Sequence, residues 1–140
     1  PFDEIYTSPL QRAVQTAEIM RGDRRIPIIK DERLKEISFG PYEGLCCGKE
    51  GYSIPDPEFV NFFQNPAHYN PPEGGESIAQ LCVRTTDFLT ELIENPDNRE
   101  KTILLSGHGA CVKGLLSSLL ITDLKDFWKG PGSTGECDLL

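Results

Sequence analysis

The chain alternates between short apolar runs, which are typical of strands, and longer runs with apolar residues on one side, which are typical of helices. Residues 2–7 predict a short first strand. Residues 26–29 are a second apolar run, which Pro27 restricts to a sheet edge or to the start of a strand. Residues 102–106 are apolar on both faces and predict a buried strand. Residues 137–140 predict the beginning of a last strand.

Capping signals delimit the first helix. Ser8 is a predicted N-cap, because Pro9 follows at the first helical position and Gln11 stands three residues after the cap, as in a capping box. Gly22 is expected to end this helix, because glycine accepts the backbone conformation that closes a helix.

Two further helices follow in the second half of the chain. Ser77 and Gln80 form a second predicted capping box, and the dipeptide at 95–96 ends that helix with a proline. Its apolar face consists of Ile78, Leu81, Thr85, Phe88, Leu89 and Leu92. Residues 110–120 are apolar nearly all round, so this helix is expected to pack deep, and residues 123–128 predict one more helical turn.

A long segment rich in glycine and proline, about 38–76, separates the two halves of the pattern. Residues 56–63 predict a short helix inside it, carrying three phenylalanines. A long insertion in a small domain is commonly functional or disordered. These aromatic side chains are expected either to line a pocket or to cover the core, and the sequence leaves both open.

Strands that alternate with helices predict an α/β fold, a three-layer α/β/α arrangement around a mainly parallel sheet. The chain of 140 residues and 15.6 kDa has the size of one domain. In such sheets ligands bind beyond the carboxyl ends of the strands, so polar residues at those positions are the first candidates for a site.

Composition narrows the classes of partner. A net charge of −8 opposes binding to nucleic acid, and the longest apolar run is too short to span a membrane. The sequence has five cysteines, an odd number, and no Cys-x-x-Cys pair. This favours reduced thiols in a cytoplasmic protein over a set of disulfides or a cysteine-rich zinc site. With only two histidines, no metal site is expected.

Three polar residues follow the three predicted strands: Arg12, Glu36 and His108. An arginine and a histidine beside helix N-termini suit an oxyanion such as phosphate, and a carboxylic acid at the same edge could donate a proton to a leaving oxygen. Arg12 and Glu36 could each be solvated surface residues instead. His108 stands between two glycines at a buried strand–helix junction and needs a partner there. His68, in a proline-rich loop, is expected to be exposed.

Four segments in order resemble the motifs of the histidine phosphatase superfamily, the phosphoglycerate mutase-like proteins. Residues 8–18 (SPLQRAVQTAE) look like its second signature, and residues 34–44 (LKEISFGPYEG) resemble its acid-bearing loop. Residues 74–77 (GGES) and 106–109 (SGHG) are similar to its Gly-Glu-Ser element and its second histidine motif. The ordered set spans nearly the whole chain.

The resemblance implies metal-independent phosphoryl transfer through a phosphohistidine, with no cofactor and a small phosphorylated metabolite as substrate. By motif, Arg12 and the lesser pocket residues Ser8, Glu76 and Gly109 would bind substrate, while His108 would neutralise charge on the transferring group. Glu36 would act as general acid and then as base. Phosphatase activity is expected ahead of mutase activity. A homodimer is left open.

One motif of the family has no counterpart here. The family's nucleophile lies in an Arg-His-Gly motif on a central first strand, and the sequence contains no Arg-His-Gly. We therefore expect that residues 1–140 form a single domain incomplete at its N-terminus and at its C-terminus, with the nucleophilic histidine upstream. The alternative is a module that binds phosphate or a partner without turnover.

Overall fold

The computed structural model describes residues 2–48 and 51–131. The described strands are β1 (Glu4–Thr7), β2 (Ile28–Lys30), β3 (Cys47–Gly48), β4 (Gly51–Tyr52) and β5 (Ile103–Ser106). Three of them form a parallel sheet in the order β2-β1-β5, with Tyr6 of the central strand opposite Ile29 on one side and Leu105 on the other. The strands β3 and β4 form an antiparallel hairpin apart from this sheet.

Helices cover both faces of the parallel sheet, which confirms the α/β class and the layered arrangement. The helices are α1 (Gln11–Arg21), α2 (Asn61–Gln64), α3 (Ile78–Glu94) and α4 (Gly109–Leu120). On one face, Ser106 Oγ donates a hydrogen bond of 3.0 Å to the carbonyl of Ala13 in α1. On the other face, Tyr6 packs edge-on against Phe88 of α3, with ring centroids 5.6 Å apart.

The predicted N-cap of α1 is wrong. The helix begins at Gln11, so Leu10 is the N-cap, and no side chain caps it. Ser8 is fully buried, and its hydroxyl accepts from the Leu10 amide and bonds the ring of His108. Ser8 therefore bonds a residue 100 positions away instead of capping the helix. The predicted end at Gly22 is confirmed, with φ of 57°.

The α3 helix follows its sequence signals closely. Both halves of the capping box between Ser77 and Gln80 form, and Asn95 is the C-cap. The α3 and α4 helices pack so closely that a Cβ added at Gly114 would lie 2.9 Å from the Thr85 hydroxyl. This glycine therefore sets the distance between the two helices that carry much of the core.

Two expectations about burial are wrong. Ile103, Leu104 and Leu105 of β5 are only half-buried, because β1 pairs with one edge of β5 and no described strand pairs with the other. The end of α4 also fails to pack deep: Leu120 is 55% exposed, because the buried contacts of that helix lie between Ala110 and Leu116.

The segment at 38–76 folds into short helical turns around an aromatic cluster. A 3-10 helix at Pro57–Val60 runs into α2, as the sequence predicted. Phe59 and Phe62 are buried in the main core, whereas Phe63 is 44% exposed. Pocket lining and core cover are thus both correct descriptions of these aromatic residues.

The proline in the second apolar run acts as predicted, since β2 begins directly after Pro27 and lies at the sheet edge. The predicted last strand at 137–140 lies outside the described residues, as does Cys137. The four other cysteines are free thiols. In the part of the chain that the structure describes, no helix is long and apolar enough to cross a bilayer.

Candidate functional site

A cavity of about 710 Å³ opens beyond the carboxyl end of β5, where the topology of a parallel sheet places ligand sites. Three of its lining side chains are the ones that the sequence pattern selected: Arg12 from the first turn of α1, Glu36 from the loop after β2, and His108 from the junction of β5 and α4. The rest of the lining is largely apolar and includes Ile37, Phe39, Phe62, Phe63, Val112 and Trp128.

His108 is the N-cap residue of α4, and its ring is held on both sides. Arg12 Nε donates to its Nδ1 over 3.1 Å, and its Nε2 lies 2.8 Å from the Ser8 hydroxyl. A ring nitrogen that accepts from a guanidinium carries no proton, so the proton lies on Nε2 and is donated to Ser8. The imidazole is therefore neutral.

The surroundings of His108 oppose its protonation. The residue is 9% exposed. Burial, together with the positive charges of Arg12 and Arg84, lowers its pKa to about 4. Because His108 is neutral, Arg12 supplies the only positive charge among the described residues that line the cavity.

Arg12 presents the remaining part of its guanidinium to the cavity. Its Nε is used on His108, and the structure gives its two Nη atoms no hydrogen-bond partner within residues 2–48 and 51–131. The Nη pair of an arginine matches two oxygens of a phosphate at once. His108 thus acts on Arg12 by fixing the plane in which this fork lies.

Glu36 lies against the N-terminus of α4. Its carboxylate oxygens accept hydrogen bonds from the amides of Ile37, Ala110 and Cys111 at 3.0, 3.3 and 3.1 Å. The last two amides belong to the first turn of α4, where free N–H groups and the helix dipole favour negative charge. The carboxylate therefore occupies the anion position of this helix and still faces the cavity.

Ser8 and Gly109 differ in their access to the cavity. Ser8 is fully buried and lies behind His108, so it can position the ring but is shielded from a ligand. Gly109 lines the cavity as the first residue of α4.

Glu76, like Ser8, does not line this cavity. It lines a neighbouring depression of about 380 Å³ together with Glu36, which borders both spaces. Its two carboxylate oxygens accept from Nε and Nη2 of Arg84 at 2.6 and 2.8 Å. Its carboxylate is therefore committed to a paired guanidinium.

Arg84 is a residue of the site that sequence reasoning missed. Besides the pair with Glu76, its Nη1 donates to the carbonyl of Arg33 over 2.6 Å and its Nη2 to that of Glu36 over 3.3 Å. One guanidinium thus joins α3, the Gly-Glu-Ser turn and the loop that carries Glu36. The spacing of eight residues between Glu76 and Arg84 is a weak sequence signal. It does not predict that Arg84 also contacts the loop that carries Glu36, which becomes evident only in the folded structure.

The loops that bear Glu36 and Glu76 are also joined through their backbones. The Glu76 amide donates to the Ser38 carbonyl over 2.8 Å. Gly40 has φ of +55°, and a Cβ there would lie 2.9 Å from the Gly75 nitrogen. Gly40 therefore lets the acid-bearing loop and the Gly-Glu-Ser turn approach more closely than a larger residue would.

Trp128 is a second lining residue that the sequence pattern did not select. It stacks against Phe63 with ring centroids 6.1 Å apart and meets Phe62 edge-on at 5.1 Å. Its indole N–H donates to the Phe62 carbonyl. The only tryptophan of the chain therefore forms part of an aromatic wall opposite the polar end of the cavity.

The second histidine and the acidic side chains suggest no further centre. His68 is exposed, lies outside the cavity lining and bonds Asn65 at 3.0 Å. No group of three or more histidine, cysteine, aspartate or glutamate side chains within the described ranges is arranged to hold a metal ion.

Comparisons with known proteins identify the family of the chain. The family model described as "Histidine phosphatase superfamily (branch 1)" matches residues 1–139. Phosphoserine phosphatase 1 of Hydrogenobacter thermophilus is 30% identical over 127 residues, which are 91% of this chain and 58% of that protein. A 2,3-bisphosphoglycerate-dependent phosphoglycerate mutase of Cytophaga hutchinsonii is 29% identical over 120 residues, 84% of this chain and 55% of that protein.

A solved structure, Bacillus stearothermophilus YhfR, superposes with a TM-score of 0.80 at 34% identity. The match covers 93% of this chain and 62% of that one. The chain thus spans less than two thirds of the length of each of these three proteins.

Proposed function

The chain belongs to the histidine phosphatase superfamily, and from this premise we propose that it is the larger part of a metal-independent phosphatase acting on a small phosphorylated metabolite. The observation that carries the proposal is the unshared Nη pair of Arg12 at the same cavity as the Glu36 carboxylate. The first can hold a phosphoryl group by two oxygens, and the second can exchange a proton with its ester oxygen.

The proposed reaction has two displacements. A histidine nitrogen attacks phosphorus, the bond from phosphorus to the ester oxygen breaks, and Glu36 gives its proton to that oxygen. Water then attacks the phosphohistidine, its proton passes to Glu36, the phosphorus–nitrogen bond breaks, and inorganic phosphate leaves. Splitting one displacement into two in this way is the advantage of covalent catalysis.

Glu36 needs a proton before the first step. The amides of α4 that hold the carboxyl in place also keep it directed at the same point after the proton has left. Glu36 is thus the proposed general acid and base, and Arg12 the proposed phosphate ligand.

The nucleophile is assigned to residues outside this sequence. His108 uses both ring nitrogens within the fold, and His68 lies away from the cavity. The edge of β5 that no described strand pairs with borders the cavity through Leu105 and Ser106, so a further strand beside β5 would bring its end residue to the phosphoryl position. We propose that residues 1–140 and this strand complete a single domain.

Hydrolysis is proposed ahead of transfer between two anionic substrates. A mutase must hold a second anionic group of its substrate while the phosphoryl group moves. Among the described residues that line the cavity, Arg12 is the one cationic side chain. The free thiols of the described cysteines are compatible with the cytoplasm as the proposed location.

The test is phosphate release by the full-length protein in the presence of a metal chelator. Glu36→Gln should lower kcat by about 10²- to 10⁴-fold and change KM by less than about threefold. The matched control is Glu18→Gln, which alters an exposed carboxylate on α1 outside the cavity lining. Loss of all turnover on chelation, or equally small effects of the two substitutions, would refute the proposal. A full-length protein that binds phosphate without turnover would instead establish the binding module.

A further inference from the structure

We propose that the group esterified to the phosphate is an uncharged aromatic or similarly flat apolar group, held by Phe39, Phe62, Phe63 and Trp128. The inference rests on the proposed function, because it assigns the second half of the same cavity once Arg12 holds the phosphate. It adds the chemical class of the substrate, which the polar end of the site leaves open.

The four rings form a continuous apolar surface. Phe39 meets Phe62 edge-on at 5.0 Å, Phe62 meets Phe63 at 4.8 Å, and Trp128 contacts both Phe62 and Phe63. Phe62 is buried, whereas Phe63 is 44% exposed and Trp128 is partly exposed. The wall therefore has a buried base and two accessible rings, and exposed rings beside a polar anchor are typical of a ligand pocket.

Trp128 is held in place without a ligand. Its indole N–H is already bonded to the Phe62 carbonyl, so the ring needs no hydrogen bond from a substrate. The chain just after Trp128 is held by the buried ammonium of Lys113, which donates to the carbonyls of Lys129, Gly130 and Pro131. Because Trp128 is held in advance, little of its conformational entropy is lost when a flat group packs on it.

Charge argues against an anionic leaving group. The described lining holds one cationic side chain, Arg12, and one anionic side chain, Glu36. A bound phosphate would pair with Arg12. A carboxylate elsewhere on the substrate would then face apolar rings or Glu36, and its loss of hydration would go uncompensated. An uncharged ring avoids this cost and gains contact with the wall.

The experiment compares binding of phenyl phosphate, O-phosphoserine and inorganic phosphate by the protein that carries this chain, at pH 7. Fluorescence of Trp128, the one tryptophan of residues 1–140, reports occupancy from inside the cavity. Phenyl phosphate is expected to bind about tenfold more tightly than either other ligand, since part of one ring is buried. Calorimetry gives the same constants without relying on the tryptophan.

Substitutions then locate the preference. Phe63→Ala should reduce the advantage of phenyl phosphate to less than about threefold and leave the affinity for inorganic phosphate unchanged. Tyr52→Ala is the matched control, because Tyr52 is 46% exposed, close to the 44% of Phe63, and lies on the hairpin outside the cavity. Phe63→Leu keeps apolar volume without the ring, so it covers the case in which Phe63→Ala does not fold.

Each outcome decides between the two proposals. If none of the three ligands binds, the proposed function fails and the inference with it. If inorganic phosphate binds but phenyl phosphate has no advantage, or if O-phosphoserine binds most tightly, the inference alone is overturned. A preference that Phe63→Leu leaves intact would also overturn the assignment to this aromatic wall.

Discussion

Arg12 Nε donates a hydrogen bond of 3.1 Å to Nδ1 of His108, so a permanent cation is paired with an imidazole that carries no charge. In the ligand-free protein His108 therefore adds no positive charge to that of Arg12. In the ligand-free arrangement the ring orients the guanidinium and in turn donates to Ser8. His108 would become a charged ligand only if it takes up a proton when an anion binds. Two predictions rest on this.

The first prediction concerns stability and pH. The pKa of His108 is lowered from 6.5 to about 4 in the folded protein, chiefly by burial. Well above pH 6.5 the ring is neutral in both the folded and the unfolded protein and contributes no pH dependence. As the pH falls towards 4, the unfolded chain binds a proton that the folded protein does not, so the free energy of unfolding falls, by up to about 3 kcal/mol.

Denaturant unfolding of the native protein and of His108→Gln across pH 4–8 measures this contribution. The pH-dependent part of the difference between the two proteins is the relevant quantity, because carboxylates also titrate in this range. Parallel curves for the two proteins would show that His108 does not titrate differently on folding.

The second prediction concerns anion binding. Sulfate remains a dianion throughout pH 5–7, so its own titration does not enter. Its charge beside Arg12 should offset the repulsion that opposes protonation of His108, and binding should take up protons. We expect the affinity for sulfate to rise about tenfold from pH 7 to pH 5. Calorimetry in two buffers of different ionisation enthalpy counts the protons, and His108→Gln should remove most of the pH dependence.

The third prediction treats Arg84 as a positioning residue for Glu36. Arg84→Met removes a partly buried guanidinium that serves four acceptors and should lower the free energy of unfolding by about 3 kcal/mol. Arg84→Lys keeps the charge but cannot reach the same acceptors in one plane, so it should recover less than half of the loss.

Kinetics separate positioning from stability. With the carbonyl of Glu36 released, kcat should fall in Arg84→Lys while KM stays nearly constant, under conditions where the variant is fully folded. A double-mutant cycle with Glu76→Gln should show strong coupling between the two side chains. Additive effects, or a Lys variant with native kcat, would contradict the positioning role.

The fourth prediction concerns the contact between the two loops. Gly40→Ala adds a Cβ 2.9 Å from the Gly75 nitrogen at a residue with φ of +55°. Gly44→Ala is the matched control, since Gly44 has φ of +79° with nothing within 4 Å of its added Cβ. We expect Gly44→Ala to cost about 1 kcal/mol and Gly40→Ala at least about 3 kcal/mol in urea unfolding. Equal losses would mean that the loops can separate without cost.

The fifth prediction concerns Lys113, which is 5% exposed. Lys113→Met fills a similar volume but leaves three carbonyls without their donor, so the segment after Trp128 should loosen. The emission of the single tryptophan should shift to the red, and the protein should lose about 2 kcal/mol of stability. Unchanged emission would show that the rest of the aromatic wall suffices to hold Trp128.

Features that depend on neighbouring residues were predictable from the sequence. The capping box at Ser77, the glycine that ends α1 and the proline before β2 each act within a few residues of chain, and the structure has all three. Arg12, Glu36 and His108 were found for a related reason, because each follows a strand and parallel strands end at the same edge.

Features that depend on distant residues were not predictable in this way. Ser8 looks like an N-cap locally, but His108 takes its hydroxyl. Arg84 carries only a weak local signal, since its acceptors lie up to 51 residues away. Trp128 lies at the cavity where its indole bonds Phe62 and Lys113 holds the chain beside it. In each case hydrogen bonds across the fold outweigh the local pattern.

The position of the α4 helix links two parts of the candidate site. Its first turn holds the proposed acid, its middle holds the segment of Trp128 through Lys113, and Gly114 seats it against α3. Glu36 and the segment of Trp128 are therefore both bonded to the α4 helix, and a tilt of this helix would displace both together. A substitution at the α3 contact, far from any bound molecule, would change turnover and substrate preference as linked quantities, so neither could be tuned by that route alone.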